Sequence, residues 1–203
     1  MTNADDSLPP SGSTLQQAFK ALIATFDQRA IHYAIIGGIA TIQHTRVRTT
    51  DDIDALLMVP QLALPGLFES LRDRGFSLEV LESIREFRED GLTTILYKDV
   101  LVDLMRPVLP VYARIVDRAI TASILGHTVR VSSADGLIVM KLIAMRPQDE
   151  SDVRDLMAAY VGKLDVDYVR AELETVMERD DPRRAKFEIW LGQAGDAGGM
   201  AKS

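Results

Sequence analysis

The segment Asp52-Ile53-Asp54 places two carboxylates on either side of one apolar residue. The apolar run that contains Ile53 predicts a buried strand over residues 53–59, and residues two apart on a strand share a face. Asp52 and Asp54 therefore project together, with Cα atoms about 6–7 Å apart. Carboxylates this close repel each other unless a cation lies between them. Mg²⁺ is the expected cation, because it prefers oxygen ligands and is usually held by one or two carboxylates together with substrate phosphates.

A third acid, Asp103, interrupts the otherwise apolar run Val100-Leu101-Val102-Asp103-Leu104-Met105. An unpaired charge in such a strand would be costly. If this strand lies beside the one that carries Asp52 and Asp54, Asp103 becomes the third metal ligand. Three carboxylates on one sheet face are suited to two-metal phosphoryl transfer.

A double glycine, Gly37-Gly38, follows the predicted strand Tyr33–Ile36 and precedes a predicted helix over Ile39–Gln43. Glycine allows a phosphate to approach the backbone closely, and a helix N-terminus offers N–H donors and a positive dipole end. The pattern of a strand, two glycines and then Asp-Ile-Asp on the next strand indicates a triphosphate site at the sheet edge.

Composition excludes several other chemistries. The chain of 203 residues contains no cysteine, which removes disulfides, thiolate zinc sites and cysteine nucleophiles, and its three scattered histidines argue against a His-rich metal cage. It has no apolar run of the roughly 20 residues that a membrane helix needs, and its N-terminus does not resemble a secretory signal, so we expect a cytoplasmic protein without a membrane partner. The formal charge of −7 argues against a large phosphate-binding surface but allows a local basic groove.

The order of the strands and helices that the sequence predicts indicates an α+β fold, in which a mixed sheet with flanking helices is followed by a helical region. We expect a disordered leader at residues 1–12, an α/β core at 13–132, a helical region at 133–191 and a flexible tail at 192–203. Ser13 should cap a first helix. Further strands are expected in two hairpins, and further helices before and after Pro147. The hairpins are Leu92–Tyr97 with Val100–Met105 and Ile120–Leu125 with His127–Val131; the helices are Pro65–Arg72, Ser133 to Ala144, Asp149–Tyr160, Val166–Met177 and Pro182–Leu191.

These motifs resemble the nucleotidyltransferase (polymerase β-like) superfamily. The spacing from Gly37-Gly38 through Arg48-x-Thr50-x-Asp52-Ile53-Asp54 is similar to its minimal prokaryotic branch, which includes the AbiEii-type toxins of type IV toxin–antitoxin systems. The segment from Lys141 to Asp152 is similar to a Lys…Arg-x-x-Asp-x-x-Asp pattern of that group. Many members have a phosphate-contacting Ser where this chain has Gly38, and Thr41 is the candidate substitute.

The resemblance implies a nucleotidyltransferase-like core that moves a nucleoside monophosphate from an NTP to a hydroxyl and releases pyrophosphate. Asp52, Asp54 and Asp103 would hold Mg²⁺ or Mn²⁺, and Asp103 would also activate the acceptor. Gly37, Gly38, Arg48 and Lys141 would bind the nucleotide. The acceptor would be RNA such as tRNA, a protein, or a small molecule such as an antibiotic. A toxin would also have a cognate antitoxin as partner.

Other interpretations remain open at the level of the sequence. The chain would be a non-catalytic antitoxin or regulatory binding module on the same fold, or a phosphodiester hydrolase using the same carboxylates. Individual residues also have structural alternatives. Asp103 would then be an acid paired with Arg106, and Lys141 would be a surface residue. Asp149 and Asp152 would be acids that the helix dipole favours in the first turn of a helix.

Overall fold

The protein is described by a computed structural model for residues 13–45 and 50–200, except for the side chains of residues 196–200. The expected leader at residues 1–12 and the candidate nucleotide ligand Arg48 lie outside the described residues. The chain divides between Ser132 and Ser133 into two compact units.

The first unit contains a six-stranded sheet and five α-helices among its described residues. In chain order its elements are α1 (Thr14–Gln28), β1 (His32–Ile36), α2 (Gly37–Thr45), β2 (Ile53–Met58), α3 (Leu64–Asp73), α4 (Val80–Glu89), β3 (Leu92–Tyr97), β4 (Val100–Met105), α5 (Pro110–Asp117), β5 (Ile120–Ile124) and β6 (His127–Val131). The helix α1 begins as predicted, because the Ser13 hydroxyl accepts a hydrogen bond from the Gln16 N–H at 3.2 Å. Its apolar residues, spaced three and four apart, are buried in the core.

The strand order in the sheet is β3-β4-β2-β1-β6-β5. The pairs β1–β2, β3–β4 and β5–β6 are antiparallel, whereas β2–β4 and β1–β6 are parallel. The mixed sheet and flanking helices confirm the predicted α+β fold class, and both predicted hairpins form. Lys98 and Gly126 adopt positive φ angles in their turns, which allows the tight reversals.

Two helices of the first unit were not predicted from the sequence. In α4 the apolar residues Val80, Ile84 and Phe87 recur at helical spacing, with Phe87 buried, so this pattern would have identified the helix despite the exposed Leu81. The helix α5 begins at Pro110, the position where a proline's missing N–H has no consequence. Its buried side chains lie at positions 111, 112, 115 and 116, a spacing that would have identified the helix.

The second unit is helical throughout its described residues, with α6 (Ala134–Ala144), α7 (Pro147–Ala159), α8 (Val166–Val176) and α9 (Pro182–Met200). Ser133 caps α6, and Met145 ends it in the left-handed conformation just before Pro147 begins α7. The last helix continues to Met200, beyond Leu191, where the glycine-rich sequence predicted its end and the start of a loose tail. Within residues 13–45 and 50–200, the search for a helix long and apolar enough to cross a membrane found none.

Candidate active site

Two of the three predicted acids, Asp54 and Asp103, lie side by side on neighbouring strands of the first unit. In the β1–β2 pair Ile36, the last residue before the glycines, lies opposite Asp54. In the β2–β4 pair Asp54 lies beside Asp103, and in the β3–β4 hairpin Asp103 lies opposite Thr94. Adjacent strands are about 4.8 Å apart. Asp54 and Asp103 therefore belong to one row across the sheet.

The glycine turn fits closely around Asp54. The φ of Gly37 is +61°, a conformation that L-residues with side chains avoid. A Cβ atom at this position would lie 2.8 Å from the Asp54 Cβ and closer still to its carboxylate. Because Gly37 begins α2, the Asp54 carboxylate lies beside the N-terminal end of that helix.

The second glycine makes a similar approach to Thr50. A Cβ on Gly38 would lie 2.8 Å from the Thr50 Cβ and closer to its hydroxyl. That hydroxyl donates a short hydrogen bond to a carboxylate oxygen of Asp52. The two glycines therefore permit Thr50, Asp52 and Asp54 to approach the start of α2.

The structure assigns Thr41 a role different from the expected substitution for a phosphate-contacting serine. Its side chain is 1% exposed, and its hydroxyl donates to the Gly37 carbonyl at 2.8 Å, one helical turn back. The Thr41 hydroxyl is therefore bonded within α2. The hydroxyl that lies against Gly38 is that of Thr50.

Asp103 pairs with a threonine and not with an arginine. The Thr94 hydroxyl donates to Asp103 Oδ1 at 2.6 Å. The Arg106 guanidinium donates instead to the carbonyls of Phe87 and Arg88 at 3.2 and 3.1 Å. The alternative interpretation, in which Asp103 pairs with Arg106, is therefore wrong.

The donor set fits a divalent cation that is completed by phosphate oxygens. Among the described residues, no group of three or more Asp, Glu, His or Cys side chains is arranged so that it could hold a metal ion. Asp52 lies one residue before β2, with its carboxylate engaged by Thr50, whereas Asp54 and Asp103 are direct neighbours. A small number of carboxylate oxygens suits Mg²⁺, because this ion usually completes its coordination with phosphate and water oxygens. The set of three acidic ligands stays a prediction.

Lys141 lies in the second unit, within a buried ion-pair cluster. It is 6% exposed, and its Nζ lies 2.6 Å from Asp152 Oδ2 and 3.5 Å from Asp149 Oδ1. The Asp149 carboxylate also accepts from the Arg146 backbone N–H at 2.8 Å, which caps α7, and from its guanidinium at 3.0 Å. The Lys…Arg-x-x-Asp-x-x-Asp pattern thus joins the end of α6 to the first turns of α7.

These contacts set the charge state of Asp149. Burial raises the pKa of this carboxyl group, but the hydrogen bonds from Arg146 and the nearby Lys141 ammonium outweigh burial and hold the pKa below its ordinary value. Asp149 is therefore a carboxylate at neutral pH. Lys141 is not a solvated surface residue, and its nucleotide-binding role stays a prediction.

Sequence reasoning named Thr50 only as part of the motif spacing and did not predict its contact, and it missed Thr94. Counting outward from the Lys98-Asp99 turn would have found Thr94, because a tight hairpin turn fixes the residue that faces Asp103. Thr50 has no comparable local signal, because its contact with Gly38 depends on the packing of the segment before β2 against α2.

The chain is similar to a known protein family and to solved structures. The sequence model of a family described as "Nucleotidyltransferase of unknown function (DUF6036)" matches residues 13–190. No curated protein matches the sequence. The AbiEii-type branch is not singled out by these matches.

Two solved structures illustrate the structural likeness. The first is ANT(2'')-Ia in complex with adenylyl-2''-tobramycin, with a TM-score of 0.50 and 17% identity over 80% of this chain and 98% of that one. The second is JHP933 from Helicobacter pylori, with a TM-score of 0.50 and 11% identity over 97% of each chain. At such identities the likeness concerns the fold alone.

Proposed function

The chain belongs to this nucleotidyltransferase family, and we propose that it moves a nucleoside monophosphate from an NTP to a hydroxyl acceptor in a reaction that depends on a divalent metal. The observation that carries the proposal is the row of acids beside the glycine turn. Asp54 lies against Gly37 and directly beside Asp103. This arrangement brings carboxylates to the N-terminal end of a helix, where a phosphate is stabilised by backbone N–H groups.

Each residue has a stated part in the reaction. Asp52, Asp54 and Asp103 would hold Mg²⁺ or Mn²⁺, which would supply charge neutralisation for the triphosphate. Gly37 and Gly38 admit the phosphates to the start of α2, and Arg48 and Lys141 remain proposed cationic ligands. Asp103 accepts the proton of the acceptor hydroxyl, whose oxygen bonds to the α-phosphorus. The bond from that phosphorus to the β-phosphate oxygen breaks, and pyrophosphate leaves.

Nucleotide binding provides the first test. Titration calorimetry with ATP, CTP, GTP and UTP should detect binding in Mg²⁺ that is lost in EDTA, because unscreened carboxylates repel a triphosphate. Asp54→Asn should remove the binding, and Glu69→Gln, an exposed acid on α3, is the matched control. Equal affinity in Mg²⁺ and in EDTA would contradict the metal site.

The acceptor is a hydroxyl of RNA or protein in our proposal, and the product decides between them. Incubation with α-labelled NTPs and Mg²⁺ should label total RNA or a protein extract; ANT(2'')-Ia, whose structure holds adenylyl-2''-tobramycin, motivates an aminoglycoside as a third acceptor. Binding without transfer to any of these pools, alongside no pyrophosphate release, would instead support the non-catalytic binding module.

A role as a toxin with a cognate antitoxin is the finer form of the proposal, and it is supported by the AbiEii-type resemblance of the motifs. Induced expression in bacteria should then arrest growth, and Asp54→Asn should abolish the arrest. Growth at the same rate with both proteins, at equal protein levels, would exclude the toxin role in that host.

A further inference from the structure

The outer strands β3 and β4 of the first unit present one open face. Along β3 the buried residues Thr93 and Ile95 alternate with exposed Leu92, Thr94 and Leu96. Along β4 the alternation places Leu101, Asp103 and Met105 on the face opposite to that of its buried neighbours. Since directly opposed residues of an antiparallel pair share a face, Thr94 and Asp103 belong to this open face.

Thr94 differs from its neighbours on this face in one chemical respect. The flanking positions, 92 and 96, are leucines that are 39% and 40% exposed. The hydroxyl occurs at the position opposite Asp103, and it donates to Asp103 Oδ1 at 2.6 Å. Sheet packing does not require a hydroxyl here, because an exposed β-branched or branched apolar residue would suit the strand equally well.

The hydrogen bond fixes one side of the carboxylate. Asp54 lies on the β2 side of Asp103, and Thr94 lies on the β3 side. While Thr94 holds Oδ1, Oδ2 accepts no hydrogen bond from residues 13–45 and 50–200. A carboxylate with one anchored oxygen keeps its plane and rotamer, which is the usual role of a group that supports a metal ligand or a catalytic base.

We propose that Thr94 is a positioning residue for nucleotidyl transfer: by holding Oδ1 it orients Asp103 toward the acceptor hydroxyl. This inference rests on the proposed function, in which Asp103 takes the acceptor proton. Thr94 lies on the opposite side of Asp103 from the glycine turn, so its loss should affect the transfer step more than the binding of NTP.

The test compares Thr94→Val, which keeps the shape and the strand preference, with Thr94→Ser, which keeps the hydroxyl. Thr121→Val is the matched control, because Thr121 is an exposed threonine on β5, the opposite edge strand. Initial rates are measured with α-labelled NTP, Mg²⁺ and the acceptor pool that the parent protein labels. NTP affinity is measured by calorimetry and the fold by thermal melting.

We expect Thr94→Val to lower kcat about 10- to 100-fold, the usual loss for a group that supports a catalytic ligand, with KM for NTP changed less than about twofold. Thr94→Ser should recover most of the rate, and Thr121→Val should behave like the parent. Should Thr94→Val melt early, Thr94→Ala replaces it in the same comparison with the Ser variant.

Two results would overturn the inference. A Thr94→Val protein that transfers at the parent rate would show that the hydroxyl is dispensable, and a Thr94→Ser protein as impaired as the Val variant would show that the side chain acts through packing. The parent protein shows whether the proposed function itself is wrong, because the parent would then bind no NTP in Mg²⁺ or label no acceptor. In that case the inference about Thr94 is also wrong.

Discussion

The substitution Gly37→Ala separates the close approach at the site from ordinary backbone strain. Gly37 has a φ of +61°, and an alanine there carries a left-handed cost of about 1–2 kcal/mol. The added Cβ would also lie 2.8 Å from the Asp54 Cβ. Because unstrained carbon contacts are about 3.5–4.0 Å, we expect Asp54 to move by about 1 Å.

A second glycine of the same unit provides the control. Gly126, in the β5–β6 turn, has a φ of +79°, and an added Cβ would meet nothing within 4 Å. The substitution Gly126→Ala therefore carries the same kind of backbone strain without a clash. Both variants should lose about 1–2 kcal/mol of unfolding free energy, and Gly37→Ala should lose somewhat more.

The two variants should differ sharply in activity. A misplacement of about 1 Å at a reacting centre can cost about 100-fold in rate, so we expect Gly37→Ala to lose transfer by about that factor while Gly126→Ala stays within about twofold of the parent. Urea unfolding and transfer from α-labelled NTP measure the two effects separately. If Gly37→Ala and Gly126→Ala retained equal transfer rates, the assignment of Asp54 to the reacting centre would be refuted.

Three further predictions concern the acids and their partners. Asp103→Asn should abolish transfer with little change in melting temperature, because the amide oxygen still accepts from Thr94; unchanged turnover would remove Asp103 from the site. Lys141→Met should cost about 3–5 kcal/mol in urea unfolding, because it removes the buried ammonium that lies against the Asp152 and Asp149 carboxylates, and adding Asp152→Leu should restore much of it. If Lys141 binds the nucleotide, the double variant should bind NTP about 1.5–3 kcal/mol more weakly than the parent. Equal NTP affinity of the double variant and the parent would show that Lys141 has a structural role only. Asp149, whose folded pKa is lowered, stabilises the protein above its unfolded pKa of about 3.9 and loses that contribution as pH falls through the folded pKa. The stability gap between parent and Asp149→Asn should therefore shrink from pH 7 to pH 3, and a constant gap would contradict the pairing.

Local sequence patterns determined much of the core. The alternation of apolar and polar residues, with a two-residue turn at Lys98-Asp99, was enough for the β3–β4 hairpin, and Gly126 marked the second hairpin. The serine before α1 identified its first turn. These features depend on backbone conformations and burial within a few residues, so the sequence specifies them directly.

The candidate site depended partly on contacts that no local pattern encodes. The types and spacing of Asp52, Asp54 and Asp103 indicated phosphoryl-transfer chemistry, and the parallel pairing of β2 with β4 then brought Asp54 beside Asp103. Two helices and a strand separate these strands in the chain, so their adjacency results from burying both sheet and helices in one core.

The sequence by itself determined the α+β class, the acids and the glycine turn, because these follow from residue type, period and turn chemistry. Only the tertiary structure decided which side chains the charged residues contact. Thr94 donates to Asp103, Thr50 donates to Asp52, and Lys141 pairs with Asp152. The physical reason is that the partner of a polar group depends on which elements the fold places beside it. A buried ammonium such as that of Lys141 must find a carboxylate wherever the helices place one.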